Sequence, residues 1–563
     1  MAALHAFEPD RDFVLRDFRE RGCFDHLEVA TRVTENQFFR YLLSEGNLRE
    51  LAATYPTPRR KEEVPLWLFL SSQISLRLHG EHAYSAYPYV LHCGGLRDAL
   101  GPEQVTLEEQ GGKDGERRLR CEGYNDKNSY ERRTPCDQDF LRKLARDTRP
   151  AALQSWFNGP VAHYLKDLGA FDEEGIFLLD GTYLFVPDNP AYQETSRLRF
   201  DEHGHPLSKE EYEALTDRQK DHTEWRRCYR AMLLLHRDRS TDTHVFAGLA
   251  LRPGKTAEVP EMRPLIEGFV AAAGQGVLKL LIHDRGFLDG KTMSWMKRAH
   301  GIDSLVPLKA GMSDLEDARV LAKEDGEPWL TWYPPTPEKK EEPPERPESL
   351  RRREERRQQT LADRRREEEA RGEPPPVVLT HVELKRIPSM RLWKTSTVPV
   401  CVILMKEHYS DGTVNEWALA TTRERMGAIE ARELYHERSQ VEERHRQLKC
   451  FWDLTGFRSR ALSLVTAQVV FVLLAYSLIQ VFLRKLERGE LNPRTRERIL
   501  QELRYQDDRL VLYSRGRFAY LTPLEHQELV LTLPEAVRRR VLARTRKLRE
   551  RQLTPRLPPR PGP

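Results

Sequence analysis

The stretch Glu433 to Lys449 reads ELYHERSQVEERHRQLK and is nearly all polar or charged. On a helix turning by roughly 100° per residue, Tyr435, Arg438, Glu442 and Lys449 fall within one stripe roughly 60° wide. Leu434, Val441 and Leu448 form an adjacent apolar stripe that can seat the helix on a sheet. Glu437 and Glu443 point away from the shared stripe. Glu442 is therefore the glutamate aimed at a site, flanked by a hydroxyl and two cations. Taken alone, the pattern equally describes an amphipathic helix with intrahelical charge pairs. What favours chemistry lies upstream.

Asp180 sits inside the apolar run LLDGTYLF, where a carboxylate is costly unless paired, metal-bound or at an exposed face. Gly181 beside it lets another group approach closely. Asp284 ends the run LLIHD and is followed by Arg285, Gly286 and Phe287. Strand C-termini are where sheet proteins commonly place ligands, although a strand-end aspartate is as often a structural cap. Two aspartates on strands and one glutamate on a packed helix make an all-oxygen site, suited to magnesium or manganese rather than zinc. Two such ions can activate a hydroxyl and stabilise a leaving oxygen in phosphodiester displacement. A phosphodiester substrate would also account for the cations beside Glu442.

These residues need a scaffold, and the apolar runs supply one. GIFLLDGTYLFV, YRAMLLLHRD and HVFAGLALRP read as strands, followed by a helix over Met262 to Ala273 and further strands at VLKLLIHD and SLVPLK. VVLTHVEL, VPVCVILMK and TVNEWALATT read as strands as well. The expectation is an α/β protein with a mixed sheet flanked by helices. Residues 1–165 are expected to form a helical domain that contacts DNA ends or serves only for packing. Residues 166–310 and 428–490 are expected to carry the two parts of the core. Between them, residues 311–427 form an insertion whose segment 334–376 is charged, proline-rich and too polar to bury a core. Residues 491–563 are expected to be a basic helical region and tail. The run Ala461 to Leu483 is long enough to cross a membrane. Interruptions at Ser463, Thr466, Gln468, Ser477 and Gln480 mark it instead as a buried core helix.

Composition narrows the function. The 563 residues are 39% apolar and 32% charged, which describes a polar, globular, soluble chain with no membrane role. A net charge of only +4 means that any nucleic-acid surface arises from local clustering. Seven scattered cysteines without C-x-x-C argue against a disulfide framework or zinc ribbon and suit a reducing cytoplasm. The opening MAALHAFEPDRDF lacks the apolar core of a secretory signal. Gly254-Lys255-Thr256 fails as a phosphate loop because Leu249 stands where the first glycine is needed.

The spacing Y-(2)-R-(3)-E-(6)-K, met by Tyr435, Arg438, Glu442 and Lys449, resembles the signature of one branch of bacterial insertion-sequence transposases of the DDE type. Asp180-Gly181-Thr182 and Asp284-Arg285-Gly286-Phe287 resemble that family's first and second aspartate motifs. The resemblance covers roughly residues 170 to 485 and implies an RNase H-like core. It implies Asp180, Asp284 and Glu442 as catalytic ligands of two Mg²⁺ or Mn²⁺ ions, with Tyr435, Arg438 and Lys449 on the DNA backbone. It further implies cutting at transposon ends, joining of the 3′-hydroxyls to target DNA, and a homodimer in which each subunit cuts its partner's end. In this branch a β-rich insertion precedes the glutamate and uses an aromatic residue to hold a flipped base; Trp329, Trp332, Trp393 and Trp417 are the candidates. The long polar segment Asn189 to Arg226 departs from the short hairpin usual there. Two rival readings are a host-adopted nuclease with the same metal chemistry and a DNA-binding protein that has lost turnover. Retention of all three carboxylates speaks against the latter.

Overall fold

The computed structural model describes residues 8–21, 34–61, 64–87, 136–335, 377–391, 396–492, 494–502, 509–515 and 517–552, with isolated stretches within 24–30, within 90–122 and at 359. The charged segment apart from residues 334, 335 and 359, together with Trp393 and the C-terminal tail, lies outside these residues. In chain order the elements that matter for the site begin with helices α1 (Leu66–Leu78), α2 (Gln138–Asp147) and α3 (Pro150–Trp156). Strands β1 (Ile176–Val186), β2 (Ser196–Phe200), β3 (Glu224–Asp238) and β4 (Thr243–Pro253) follow, then helix α4 (Val259–Ala273). Next come β5 (Leu280–His283), β6 (Asp303–Pro307), β7 (Leu330–Trp332), β8 (Leu379–Met390), β9 (Val400–Tyr409) and β10 (Val414–Thr421). Helices α5 (Ala428–His436), α6 (Arg438–Cys450) and α7 (Leu462–Lys485) close the series.

The chain divides into two compact units, Leu280–Arg438 and the remainder. In the larger unit β1 runs antiparallel to β3, with Asp180 opposite Leu233. On its other side β3 pairs with β2 and then β4, both antiparallel. These strands form because their runs are bulky and apolar, and almost every residue of β4 is buried. Strand β4 is nevertheless an edge, and an uncovered edge invites pairing with another chain. Helical side chains occupy it. Asn158 accepts from the Leu249 N–H at 2.8 Å and donates to the Leu249 carbonyl at 2.9 Å. Gln154 accepts from the Leu251 N–H at 2.9 Å. At the bulge, where Leu234 pairs with Gly248 but Leu235 with Phe246, the Phe246 N–H donates to the Ser477 hydroxyl at 3.0 Å.

Ser477 belongs to α7, the run that resembles a membrane span. The helix has a mean hydropathy of 2.2 in its most apolar window, yet 83% of that window is buried within the protein. It is a core helix, and two of its polar residues are fasteners: besides Ser477, Gln468 donates to the Leu454 carbonyl at 3.2 Å.

In the smaller unit β5 and β6 are parallel, and β6 pairs antiparallel with β10. Strands β10, β9, β8 and β7 continue as an antiparallel meander. The β-rich insertion therefore extends a core sheet rather than standing apart from it. The whole is a mixed α/β fold with a mixed sheet flanked by helices.

Two expectations need correction. The last segment is not helical throughout: Arg509–Ser514 and Arg517–Leu521 form a hairpin before two further helices. The short apolar runs LVLY and FAYL are strand signals. The first segment is not wholly helical either, since His26–Ala30 and Glu8–Pro9 join that hairpin in one small sheet. The polar stretch after β1 holds β2 and two short helices, each opened by a capping box, Ser208 with Glu211 and Thr216 with Gln219.

Asn158→Leu should leave an N–H and a carbonyl of β4 without side-chain partners. We expect a stability loss of about 1–3 kcal/mol, read as a lower thermal midpoint with unchanged circular dichroism at 20 °C. An unchanged midpoint would mean that the edge does not depend on this cap.

Candidate active site

Asp180 lies in the middle of β1 and is buried. Thr182, two residues on and so on the same face of the strand, is buried too. Helix α6 covers this pair. Its Val441 and Leu448 are fully buried and anchor the helix, as the apolar stripe requires. His445 and Lys449, one turn apart, face the strand. His445 Nδ1 stands 3.6 Å from Asp180 Oδ2, and Lys449 Nζ donates to Thr182 Oγ1 at 2.6 Å. Burial lowers the Lys449 pKa, and the charge of Asp180 opposes that shift. Glu442 precedes His445 by three residues and Lys449 by seven, so all three lie along one side of the helix. Glu442 itself is exposed.

The neighbouring Glu443 behaves differently. Arg446 donates to its carboxylate twice, at 2.7 Å each, and Gln447 donates at 3.1 Å. The Arg446 hydrogen bonds hold the Glu443 carboxyl below its usual range. Of the two adjacent glutamates, one is committed to an intrahelical pair, as the spacing anticipated.

Gly181 has the close neighbour its sequence position implied. It is the Glu258 carboxylate, held by Arg230 in a 2.5 Å ion pair, against which any Cβ at Gly181 would collide.

Asp284 follows β5 in the smaller unit and opens a tight turn, its carbonyl accepting from the Phe287 N–H at 3.0 Å. Its side chain is 34% exposed, with Arg438 Nη1 3.9 Å from Oδ1. The Arg438 guanidinium lies 6.0 Å from the Tyr435 ring, which packs on Trp417 at 5.5 Å. His283, just before Asp284, is fully buried, and burial brings its pKa down to about 4, so the ring is neutral at physiological pH.

The structure thus gathers the expected residues into two groups. Asp180 stands with Lys449 beneath the helix that carries Glu442; Asp284 stands with Arg438 and Tyr435. The groups belong to different units. One expectation is corrected: Tyr435 to Lys449 is not one continuous helix. At Glu437 the dihedrals stay helical but the hydrogen bond tightens, its N–H bonding to the Leu434 carbonyl three residues back at 3.1 Å, and α6 begins at Arg438. His445 and Thr182 escaped the sequence reading as site residues, although Thr182 belongs to the first aspartate motif and His445 stands three residues after Glu442. Among the candidate tryptophans, Trp332 lies under the Arg432 guanidinium at 3.9 Å and Trp329 under Lys406 at 4.5 Å. Both are half-buried rather than core residues.

Asp180 and Glu442 in the larger unit and Asp284 in the smaller each offer carboxylate oxygens, the donor type that a hard divalent cation takes.

The family model for the transposase DDE domain matches residues 172–478, more than half of the chain. The chain belongs to the DDE transposases, a family of metal-dependent enzymes that act on DNA and carry an RNase H-like domain. No curated protein matches the chain closely enough to name a nearer relative.

Gly181→Ala should destabilise the fold by pressing on the Glu258 carboxylate. In combination with Glu258→Ala its cost should shrink, giving a coupling of about 0.5–3 kcal/mol in a double-mutant cycle of thermal midpoints. Strictly additive costs would show that the two positions are not in contact.

Proposed function

We propose that this chain is an insertion-sequence transposase of the Y-(2)-R-(3)-E-(6)-K branch. It cuts DNA at the ends of its element and joins the 3′-hydroxyls to target DNA, with Asp180, Asp284 and Glu442 as metal ligands. The observation that carries the reading is the seating of α6 on β1: the face bearing Glu442 meets the buried Asp180 through His445 and Lys449. A helix placed only for packing would not bring a half-buried lysine and a buried histidine onto a buried aspartate.

Two Mg²⁺ or Mn²⁺ ions held by these carboxylates would activate a hydroxyl and stabilise the leaving oxygen. The chain's own residues do the rest. The Thr182 hydroxyl fixes the Lys449 ammonium beside Asp180, so the cation is pre-positioned and loses little freedom when DNA arrives. Lys449, Arg438 and Tyr435 hold the DNA backbone near the cleaved phosphate, Arg438 through a planar donor fork suited to phosphate oxygens. Two copies pair across the two ends of the element. A nuclease without strand transfer would use the same residues; finding inverted repeats on either side of the gene would decide for the transposase.

The test is Mg²⁺-dependent cutting of a plasmid carrying the DNA that flanks the gene. Asp180→Ala, Asp284→Ala and Glu442→Ala should each reduce cutting to background while DNA binding persists. A double variant should fall no further, because the three act as a unit. Glu443→Ala, which removes the intrahelical bonds from Arg446 and Gln447, should cut at close to the wild-type rate. Equal activity of Glu442→Ala and wild type would overturn the assignment.

A further inference from the structure

A second constellation of metal-type side chains lies on the insertion meander, and the carboxylate chemistry above makes no use of it. His381 and Glu383 are two residues apart on β8 and so share one face. His408 on β9 pairs directly with His381. One donor atom from each of the three lies within 4.8 Å of the others. The two imidazoles are stacked, with centroids 4.3 Å apart and planes 5° from parallel.

Three details go beyond proximity. First, Thr380 Oγ1 donates to the His408 carbonyl at 2.8 Å. A hydroxyl has one proton, so toward His381 Nδ1, at 3.1 Å, the same oxygen must accept. His381 therefore carries its proton on Nδ1 and presents a bare lone pair at Nε2. Outer partners commonly fix the tautomer of a metal-binding histidine in this way. Second, His408 Nε2 is buried and makes no hydrogen bond. Third, the nearest carboxylate oxygen, Glu383 Oε2, lies 3.4 Å from that nitrogen. This is long for a hydrogen bond. It matches the separation of about 3.3 Å between neighbouring donors around a tetrahedral ion with bonds of about 2.0–2.1 Å.

We propose that His381, Glu383 and His408 form a binding site for a first-row transition-metal ion of the zinc type, which cross-links β8 and β9. Two imidazoles and one carboxylate favour zinc, cobalt or nickel over magnesium, which prefers oxygen throughout. Three protein donors leave a further position for water. The site lies at the start of β8, where the chain emerges from the charged segment, so the ion would pin the first paired residues of the meander. It is separate in sequence and in donor chemistry from Asp180, Asp284 and Glu442.

The experiment uses the full chain stripped with chelator and titrated with Zn²⁺ alone, against a competing chromophoric chelator. Co²⁺ serves as a spectroscopic probe of coordination. Wild type should bind one tight Zn²⁺ equivalent, show visible Co²⁺ bands, and gain thermal stability with Zn²⁺ but not with Mg²⁺. His381→Ala and His408→Ala should each weaken Zn²⁺ binding more than ten-fold and abolish the stability gain. Thr380→Val, which keeps every ligand, should weaken binding about ten-fold through the lost tautomer control. Asp180→Asn combined with Glu442→Gln should leave Zn²⁺ binding intact, and so should His205→Ala at an exposed histidine elsewhere. If wild type binds no Zn²⁺ above background, or the histidine variants bind it as well as wild type, the proposal fails. Loss of the equivalent in the Asp180/Glu442 variant alone would assign the ion to the carboxylates and overturn it equally.

Discussion

A carboxylate in the middle of an apolar strand must be compensated, and the compensation of Asp180 organises much of what surrounds it. Moving an unpaired charge into the interior costs several kcal/mol. Here α6 brings a histidine and a lysine onto the strand, and the lysine is itself buried far enough to lower its pKa. Neither partner is comfortable alone. Their joint placement fixes the register of helix on strand more narrowly than Val441 and Leu448 would, because apolar contacts tolerate sliding and a 2.6 Å hydrogen bond does not. The orientation of Glu442 follows from that register.

The rest of the larger unit repeats the logic with neutral groups. An edge strand in the core has backbone groups that must go somewhere. Asn158, Gln154 and Ser477 take them, each from a helix whose sequence would pass as simply apolar or amphipathic. This is also why α7 is not a membrane span. Serine and glutamine within an apolar helix have value where specific backbone partners are present, as Phe246 and Leu454 are here.

Much of this could be read in the sequence because burial writes itself as composition. The strands around Asp180 and Asp284 are runs of bulky apolar residues, and a single aspartate within or just after each is conspicuous. That Glu443 points away from the side bearing Glu442 was legible for a related reason: helical geometry fixes which residues share a side, and Glu443 finds Arg446 three residues on. Other features left weaker marks. The interruption at Glu437 has no glycine or proline to announce it, so a continuous helix was the natural expectation. His445 is one basic residue among many, and only contact with β1 distinguishes it. The hairpin at Arg509–Leu521 did carry a signal, the short apolar runs LVLY and FAYL, which the basic surroundings obscured.

Stability alone does not explain this arrangement. Replacing a buried charge pair with apolar residues of similar volume is often neutral or stabilising. A sequence selected only to fold would have little reason to keep aspartate in β1 opposite Leu233, or lysine on the covering helix. The Glu443–Arg446 pair, by contrast, is local and largely open to solvent, and serves the helix alone. The contrast between the two sets of charges within one helix separates residues the fold uses from residues the fold accommodates. Asp180 and Lys449 are accommodated at a cost that packing of the helix on the strand does not require.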